Sequence, residues 1–436
     1  MRLGDLLPRI VEPPPGLRSR TLARRLSYLE APAVNTVGPG EPPILWEEAA
    51  GANVLDADGN IYIDLTSGFG VATVGHRHPR VEEAVRRQTG RLLHALGDVH
   101  AHPLRVELAA RLVRLAPVDD AQVFFAVSGA EAVEIALKTA IGASRKRGIV
   151  AFEPSYHGMT LGALAVTSRP EFRALAAEHL HSHVHRLPFG GDPAALEELL
   201  AGGDLACVLL EPIVGREGVL VPPPGWLPEV ASLCRRAGVL LVADEIFTGF
   251  GRTGTLFAVE GEGVRPDILC CGKALGGGLP IAAVVARQAL FRCWETEGEA
   301  LHTSTFIANP LACAAALAVL DILEEENLPA RAVRRGIELG RRLAAWPERF
   351  PHVAEVRGRG FLWGAELRTR EAAKSWAQGA LGRGLLLLAG GPAGRVAQIV
   401  PPLVITDEQL EAALDLLEKG LAELPDDGPE TETVRP

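Results

Sequence analysis

One pattern, repeated along the middle of the chain, constrains the fold more than any other feature. A short run of apolar, often β-branched residues ends at a polar residue or a glycine, and a helical stretch follows. QVFFAV precedes Ser128, IVAF precedes Glu153, LACVLL precedes Glu211, GVLLVA precedes Asp244, and DILCC precedes Gly272 and Lys273. Runs of this length with no polar face read as strands buried on both sides. Their alternation with helices makes the fold α/β, with a mostly parallel sheet in a large domain. In open parallel sheets ligands sit beyond the carboxyl ends of the strands. Ser128, Glu211, Asp244 and Lys273 all fall at that end.

Both chain ends read differently from this middle. Residues 1–75 divide into a Pro- and Arg-rich arm and strand-and-turn chemistry, with Asp58-Gly59-Asn60 as a turn. Residues 76–325 hold the large domain. Residues 326–424 add strands and a final amphipathic helix, DEQLEAALDLLEKGLAEL, so a smaller α+β domain is expected from both ends. The acidic, turn-rich 425–436 reads as a disordered tail. RAVRRGIELGRR is an amphipathic helix whose basic face reads as solvated surface.

Composition excludes whole classes of function. Lys and Arg total 44 against 54 Asp and Glu, a net charge of −10, so no basic stripe is available for nucleic acid. The longest apolar run, around Leu311 to Leu320, is too short to span a membrane, and the N-terminus lacks the apolar core of a signal peptide. Cys207, Cys234, Cys270, Cys271, Cys293 and Cys313 lack metal-site spacing and lie mostly in apolar runs. Buried thiols in a reducing, cytoplasmic compartment are expected. His179, His181, His183 and His185 alternate, which reads as a solvated extended segment; no metal site is expected.

Three local signals carry chemistry. Ser128-Gly129-Ala130-Glu131 follows a strand and opens a helix: it is a capping box at least, and a seat for an anion if a phosphate meets the free N–H groups. Asp244 closes an apolar strand, where a carboxylate is either a helix cap or the partner of a buried positive group. Lys273 follows DILCC and precedes Gly276, Gly277 and Gly278. A lysine there either snorkels to solvent or loses solvation and becomes a neutral nucleophile for carbonyls. Together an anion seat, a buried carboxylate and a desolvated lysine match the needs of pyridoxal phosphate.

With these residues on the page, the chain resembles the class III pyridoxal-phosphate aminotransferases of fold type I. That group includes the ornithine, 4-aminobutyrate and ω-amino acid transaminases. The resemblance runs from about Ile44 to about Leu424 and rests on DLTSGFGVATVGHRHP, SGAEAVEIALKTA, SYHGMT, EPIVGREG, VADEIFTGFGRTG, DILCCGKALGGGLP, HTSTFIANPLA and VRGRGFLWGAEL. It implies that Lys273 forms the Schiff base with the cofactor and moves the substrate proton, and that Asp244 holds the pyridinium proton. Gly129 and Ala130 would donate to the phosphate with Ser128 assisting, Tyr156 would stack on the ring beside His157, and Glu211 would lie close by. Thr305 would reach the phosphate of the neighbouring subunit, making a homodimer, alone or in a dimer of dimers, the minimum active unit, and Phe69 would line the substrate pocket. Substrates would be an amine or ω-amino acid donor and a keto acid acceptor, exchanged by ping-pong kinetics.

Three positions depart from the resemblance. Phe247 stands where a Gln often touches the cofactor's ring hydroxyl. A switchable Glu–Arg pair of 2-oxoglutarate users is replaced by Arg216 and Gln398, which leaves the acceptor pocket to Arg216, Gln398 or Arg395, with pyruvate as plausible as 2-oxoglutarate. A racemase, epimerase or aminomutase uses the same lysine, carboxylate and phosphate seat and needs no such pair, so it stands as the alternative.

Overall fold

The computed structural model describes residues 3–31 and 42–425. Beyond Pro425, the expected tail lies outside them. Near the N-terminus strands β1 (Trp46–Ala50), β2 (Asn53–Asp56) and β3 (Ile61–Asp64) form an antiparallel meander. The expected turn joins β2 to β3: Asp56 Oδ1 accepts from the N–H groups of Asp58 (3.0 Å) and Asn60 (2.8 Å). Gly59 sits there at φ +86°, where a side chain would be strained.

The large sheet has seven strands: β4 (Ala121–Ala126), β5 (Gly148–Glu153), β6 (Val184–Pro188), β7 (Leu205–Leu210), β8 (Leu240–Asp244), β9 (Ile268–Cys271) and β10 (Ala282–Arg287). Their order is β4-β10-β9-β8-β7-β5-β6. All are parallel except β10, which runs antiparallel to both β4 and β9. The five apolar runs are β4, β5, β7, β8 and β9. The period of two divides them between two cores. Ala151, Leu209, Val242 and Cys270 face the helix Gly129–Ser144, while Val150, Leu210, Ala243 and Cys271 face the other side. Sequence patterning did not single out β6 and β10. β6 is a half-exposed edge carrying His185, so no apolar run marks it. Among the described residues, no three His, Cys, Asp or Glu side chains are arranged to hold a metal, and all six cysteines are free thiols.

The two chain ends interlock. β13 (Leu385–Leu386) pairs parallel to β3, adding a C-terminal strand to the N-terminal meander. Gln409 Nε2 donates to the carbonyls of Gly4 (3.1 Å) and Leu6 (3.0 Å) and to Asn53 Oδ1 (3.2 Å). β11 (Val353–Arg359), β12 (Leu362–Leu367), β14 (Leu388–Gly390) and β15 (Val396–Ile399) form a third sheet in the order β11-β12-β15-β14.

The basic helix Leu328–Ala344 is not the solvated face that its sequence implies. Arg342 bonds Glu411, Asp415 and Glu418 of the helix Asp407–Ala422, because two amphipathic helices of opposite charge lie side by side. Burial pushes the Glu418 carboxyl up, but hydrogen bonds from Arg342, Arg349 and Trp346 outweigh it and hold the group at about 2. Its pKa lies below that of the unfolded chain, so its stabilisation is complete above about pH 4.5 and is lost as pH falls toward 2. Glu418→Gln is expected to cost about 1–3 kcal/mol at pH 7. Melting temperatures at pH 7, 5 and 4 test this: the deficit should shrink only at the acid end, and a pH-independent deficit contradicts it.

Candidate active site

The carboxyl ends of β4, β7, β8 and β9 meet along one edge of the large sheet. After β4, the chain turns into the helix Gly129–Ser144, capped by Ser128, whose Oγ accepts from the Glu131 N–H at 3.2 Å. The Glu131 carboxylate reaches back to the Val127 N–H at 2.7 Å, one residue before the cap. Those bonds leave the N–H groups of Gly129 and Ala130 at the helix mouth, where no helical carbonyl can take them. Two glycines let the backbone close around this mouth. A Cβ on Gly158 would lie 2.6 Å from Ala130 Cβ, and one on Gly129 3.0 Å from Ile246.

Asp244, at the end of β8, is buried and doubly held. Its Oδ2 meets His157 Nδ1 at 2.7 Å and its Oδ1 accepts from the Ile246 N–H at 3.1 Å. His157 is anchored in turn, its N–H donating to Thr167 Oγ1 at 3.0 Å. Burial works against a charged imidazole, yet the bond to Asp244 and that carboxylate's charge lift His157 above its ordinary value. A carboxylate keeps further acceptor sites after two such bonds, so Asp244 can still take a proton donor from the cleft. Glu211, after β7, accepts from the N–H groups of Tyr156 (3.0 Å) and Gly215 (2.9 Å). Burial pushes its carboxyl up, and its visible work is holding two loops together.

Lys273 follows β9 at φ +42°, a left-handed conformation. Its Nζ lies 4.0 Å from the centre of the Phe247 ring. Burial lowers its pKa to about 8; Asp244 and Glu211 oppose that shift and Arg216 adds to it. The apolar wall is Phe247 itself. Its ring fills the space a side chain would need at Gly215 (2.7 Å from a Cβ) and would lie 3.3 Å from a Cβ at Gly70. What reads in sequence as a lost polar contact is in the fold a desolvating surface for the lysine.

The remaining expected residues divide. The Arg216 guanidinium lies over the Tyr156 ring at 4.2 Å and the Phe172 ring at 5.1 Å. Gln398 donates its amide to the carbonyls of Gly215 (3.2 Å) and Arg216 (3.0 Å). Arg395 is no candidate for the pocket, because it is tied to Glu366 at 3.0 Å beside the sheet of β12 and β15. Phe69, at φ +61°, is 64% exposed, and Thr305 is exposed beside Gly97 rather than at this chain's own cleft. The Asp244–His157 bond and the Phe172 ring carried no signal in the sequence, since 87 residues separate the first pair.

A helix mouth for a phosphate, a buried carboxylate for a ring nitrogen and an amine that burial makes easier to deprotonate fit pyridoxal phosphate group by group. Comparison with known proteins agrees. Aminotransferase class-III matches residues 36–421. The acetylornithine aminotransferase of Methanopyrus kandleri is 43% identical over 372 residues, 85% of this chain and 92% of the relative. The putrescine aminotransferase of Pectobacterium atrosepticum is 40% identical over 414 residues, 92% and 88% of the two chains. Among solved structures, the ornithine aminotransferase of Toxoplasma gondii superposes with a TM-score of 0.86 at 31% identity, covering 93% of this chain and 95% of that one. An (S)-enantioselective omega-transaminase of Thermomicrobium roseum gives 0.85 at 28% identity, covering 93% and 98%. No comparison favours a racemase or mutase. The chain belongs to the class III aminotransferases, enzymes of fold type I that move amino groups with pyridoxal phosphate.

Proposed function

We propose that this protein transfers an amino group from a primary amine or ω-amino acid to a 2-keto acid, with Lys273 and Asp244 as its catalytic residues. The observation that carries the reading is the meeting of Lys273, the Asp244–His157 pair and the Gly129–Ala130 helix mouth on one sheet edge. Bound there, pyridoxal phosphate supplies the electron sink for the bond-breaking step. Everything else falls to the chain. The N–H groups of Gly129 and Ala130, with Ser128 beside them, would hold the phosphate. Tyr156 would stack on the cofactor ring, and His157, bonded to Asp244 Oδ2, would orient that carboxylate for the ring nitrogen. Lys273, about half neutral near pH 8, would accept the substrate proton and hand it on.

The same reading makes the working unit a homodimer. Leu93, Leu96, Phe69 and Phe306 are each more than half exposed. The segments carrying Leu93 and Thr305 are tied together, as Asn309 Nδ2 donates to the Leu93 carbonyl at 3.0 Å. A second copy covering this face would bring its own Thr305 to the phosphate. Buried free thiols fit a cytoplasmic enzyme.

Initial rates of the holoenzyme with varied donor and keto acid test the reading. Parallel double-reciprocal lines, and isotopic nitrogen moved from donor to pyruvate or 2-oxoglutarate, are expected. Decay of optical rotation without nitrogen transfer would sink it.

A further inference from the structure

Of Arg169, Arg216 and Arg395, two are spoken for. Arg169 Nε meets Glu217 Oε2 at 2.7 Å and its Nη2 donates to the Gly391 carbonyl at 2.9 Å. Arg395 is held by Glu366. Among the described residues, Arg216 alone of the three has no carboxylate partner: its guanidinium rests only on the faces of Tyr156 and Phe172. It is half-buried, and its charge is felt at Lys273.

The backbone beneath Arg216 is fastened while its head is free. Gln398 grips the carbonyls of Gly215 and Arg216, and Glu211 takes the Gly215 N–H. On the other side Glu217 is buried against Arg169. A guanidinium lying on two rings keeps its in-plane N–H fork unused, and the fork matches a carboxylate in two parallel bonds. Cation–π contacts at partly exposed sites are weak, so leaving them for an anion costs little.

Building on the amino-transfer reading, we propose that Arg216 is the carboxylate-recognising residue of the substrate pocket, waiting on the Tyr156–Phe172 rings and turning its fork onto the substrate's carboxylate. Gln398 and the Arg169–Glu217 pair are positioning residues: they aim the backbone from which Arg216 swings. Substrates bearing a carboxylate are therefore selected from the wall of the 211–218 loop, and the strand β15 contributes only a neutral amide that never reaches them.

The holoenzyme and its Arg216→Met and Arg216→Lys variants test this. With one carboxylate-free amine as donor, kcat/KM is compared between pyruvate or 2-oxoglutarate and an alkyl aldehyde. Arg216→Met should lower the ratio of keto acid to aldehyde by roughly 30-fold, mainly through KM, while Arg216→Lys keeps part of it. Equal losses for both acceptor types, or no loss for keto acids, overturn the proposal. Binding of glutarate to the holoenzyme by calorimetry provides a readout that does not depend on turnover: about tenfold weakening in Arg216→Met supports the proposal, and unchanged binding overturns it. If wild-type enzyme moves no amino group at all, the functional reading fails, and the glutarate result still decides the role of Arg216.

Discussion

Lys273→Ala should abolish amino transfer, lowering kcat by at least about 10⁴-fold, because on the proposed roles the variant loses both the cofactor's covalent anchor and the base that carries the substrate proton. The phosphate seat and the Asp244–His157 pair are untouched, so folding should persist and cofactor binding should weaken rather than vanish. A small primary amine added to the medium should restore part of the rate. The cause of the lysine's reactivity gives a second readout. Burial against Phe247 lowers the pKa to about 8, so apoenzyme should capture the cofactor at a rate that rises with pH to half its plateau near 8. Half-rise near the ordinary 10.5 would remove the desolvation argument. Near-normal turnover in the alanine variant would remove Lys273 from the mechanism.

Asp244→Asn comes next in expected size, a fall in kcat on the order of 10³-fold, since a neutral amide cannot keep a ring nitrogen protonated. The substitution is nearly isosteric: the amide oxygen can still accept from the Ile246 N–H while the NH2 donates to a neutral His157 ring nitrogen, so the fold should hold. Two titrations move with it, and their signs are fixed by the charge removed. Asp244 raises Lys273, so the half-rise of cofactor capture should move below about 8. Asp244 also raises His157, whose imidazole should therefore deprotonate at lower pH in the variant. Nitrogen NMR of the imidazole and stopped-flow capture rates read the two shifts. Movement of either in the opposite direction would mean that Asp244 is not the charge that governs this cleft.

Much of this cleft is legible before any coordinates, and the reason is local. Ser128, Glu211, Asp244 and Lys273 each terminate an apolar run, so one rule about strand ends gathers them. The strands β6 and β10 escape the same rule for different reasons. β6 is a half-exposed edge without a continuous apolar run. β10 is apolar enough, but it runs antiparallel, so its carboxyl end at Arg287 lies away from the edge that gathers the others, and that direction is a matter of pairing that composition does not encode. Side-chain partnerships are the least visible layer. Nothing in SYHGMT says that His157 will meet Asp244, and nothing in EPIVGREG says that Glu217 will be taken by Arg169 while Arg216 is left on two rings. The basic helix shows the same limit. Its arginines are plain in sequence, whereas the acidic row opposite Arg342 comes from a helix about 70 residues away.

The clasp of Gln409 on Gly4, Leu6 and Asn53 sets an order of assembly. Its partners lie 405 residues apart for the Gly4 bond, so during synthesis this contact must wait until residue 409 has emerged. The strands of the seven-stranded sheet all lie between residues 121 and 287, so their pairing can form meanwhile. Closing so distant a pair is the slow, non-local step of folding. A ribosome halted before residue 409 should therefore carry a protease-resistant middle with an accessible amino-terminal meander.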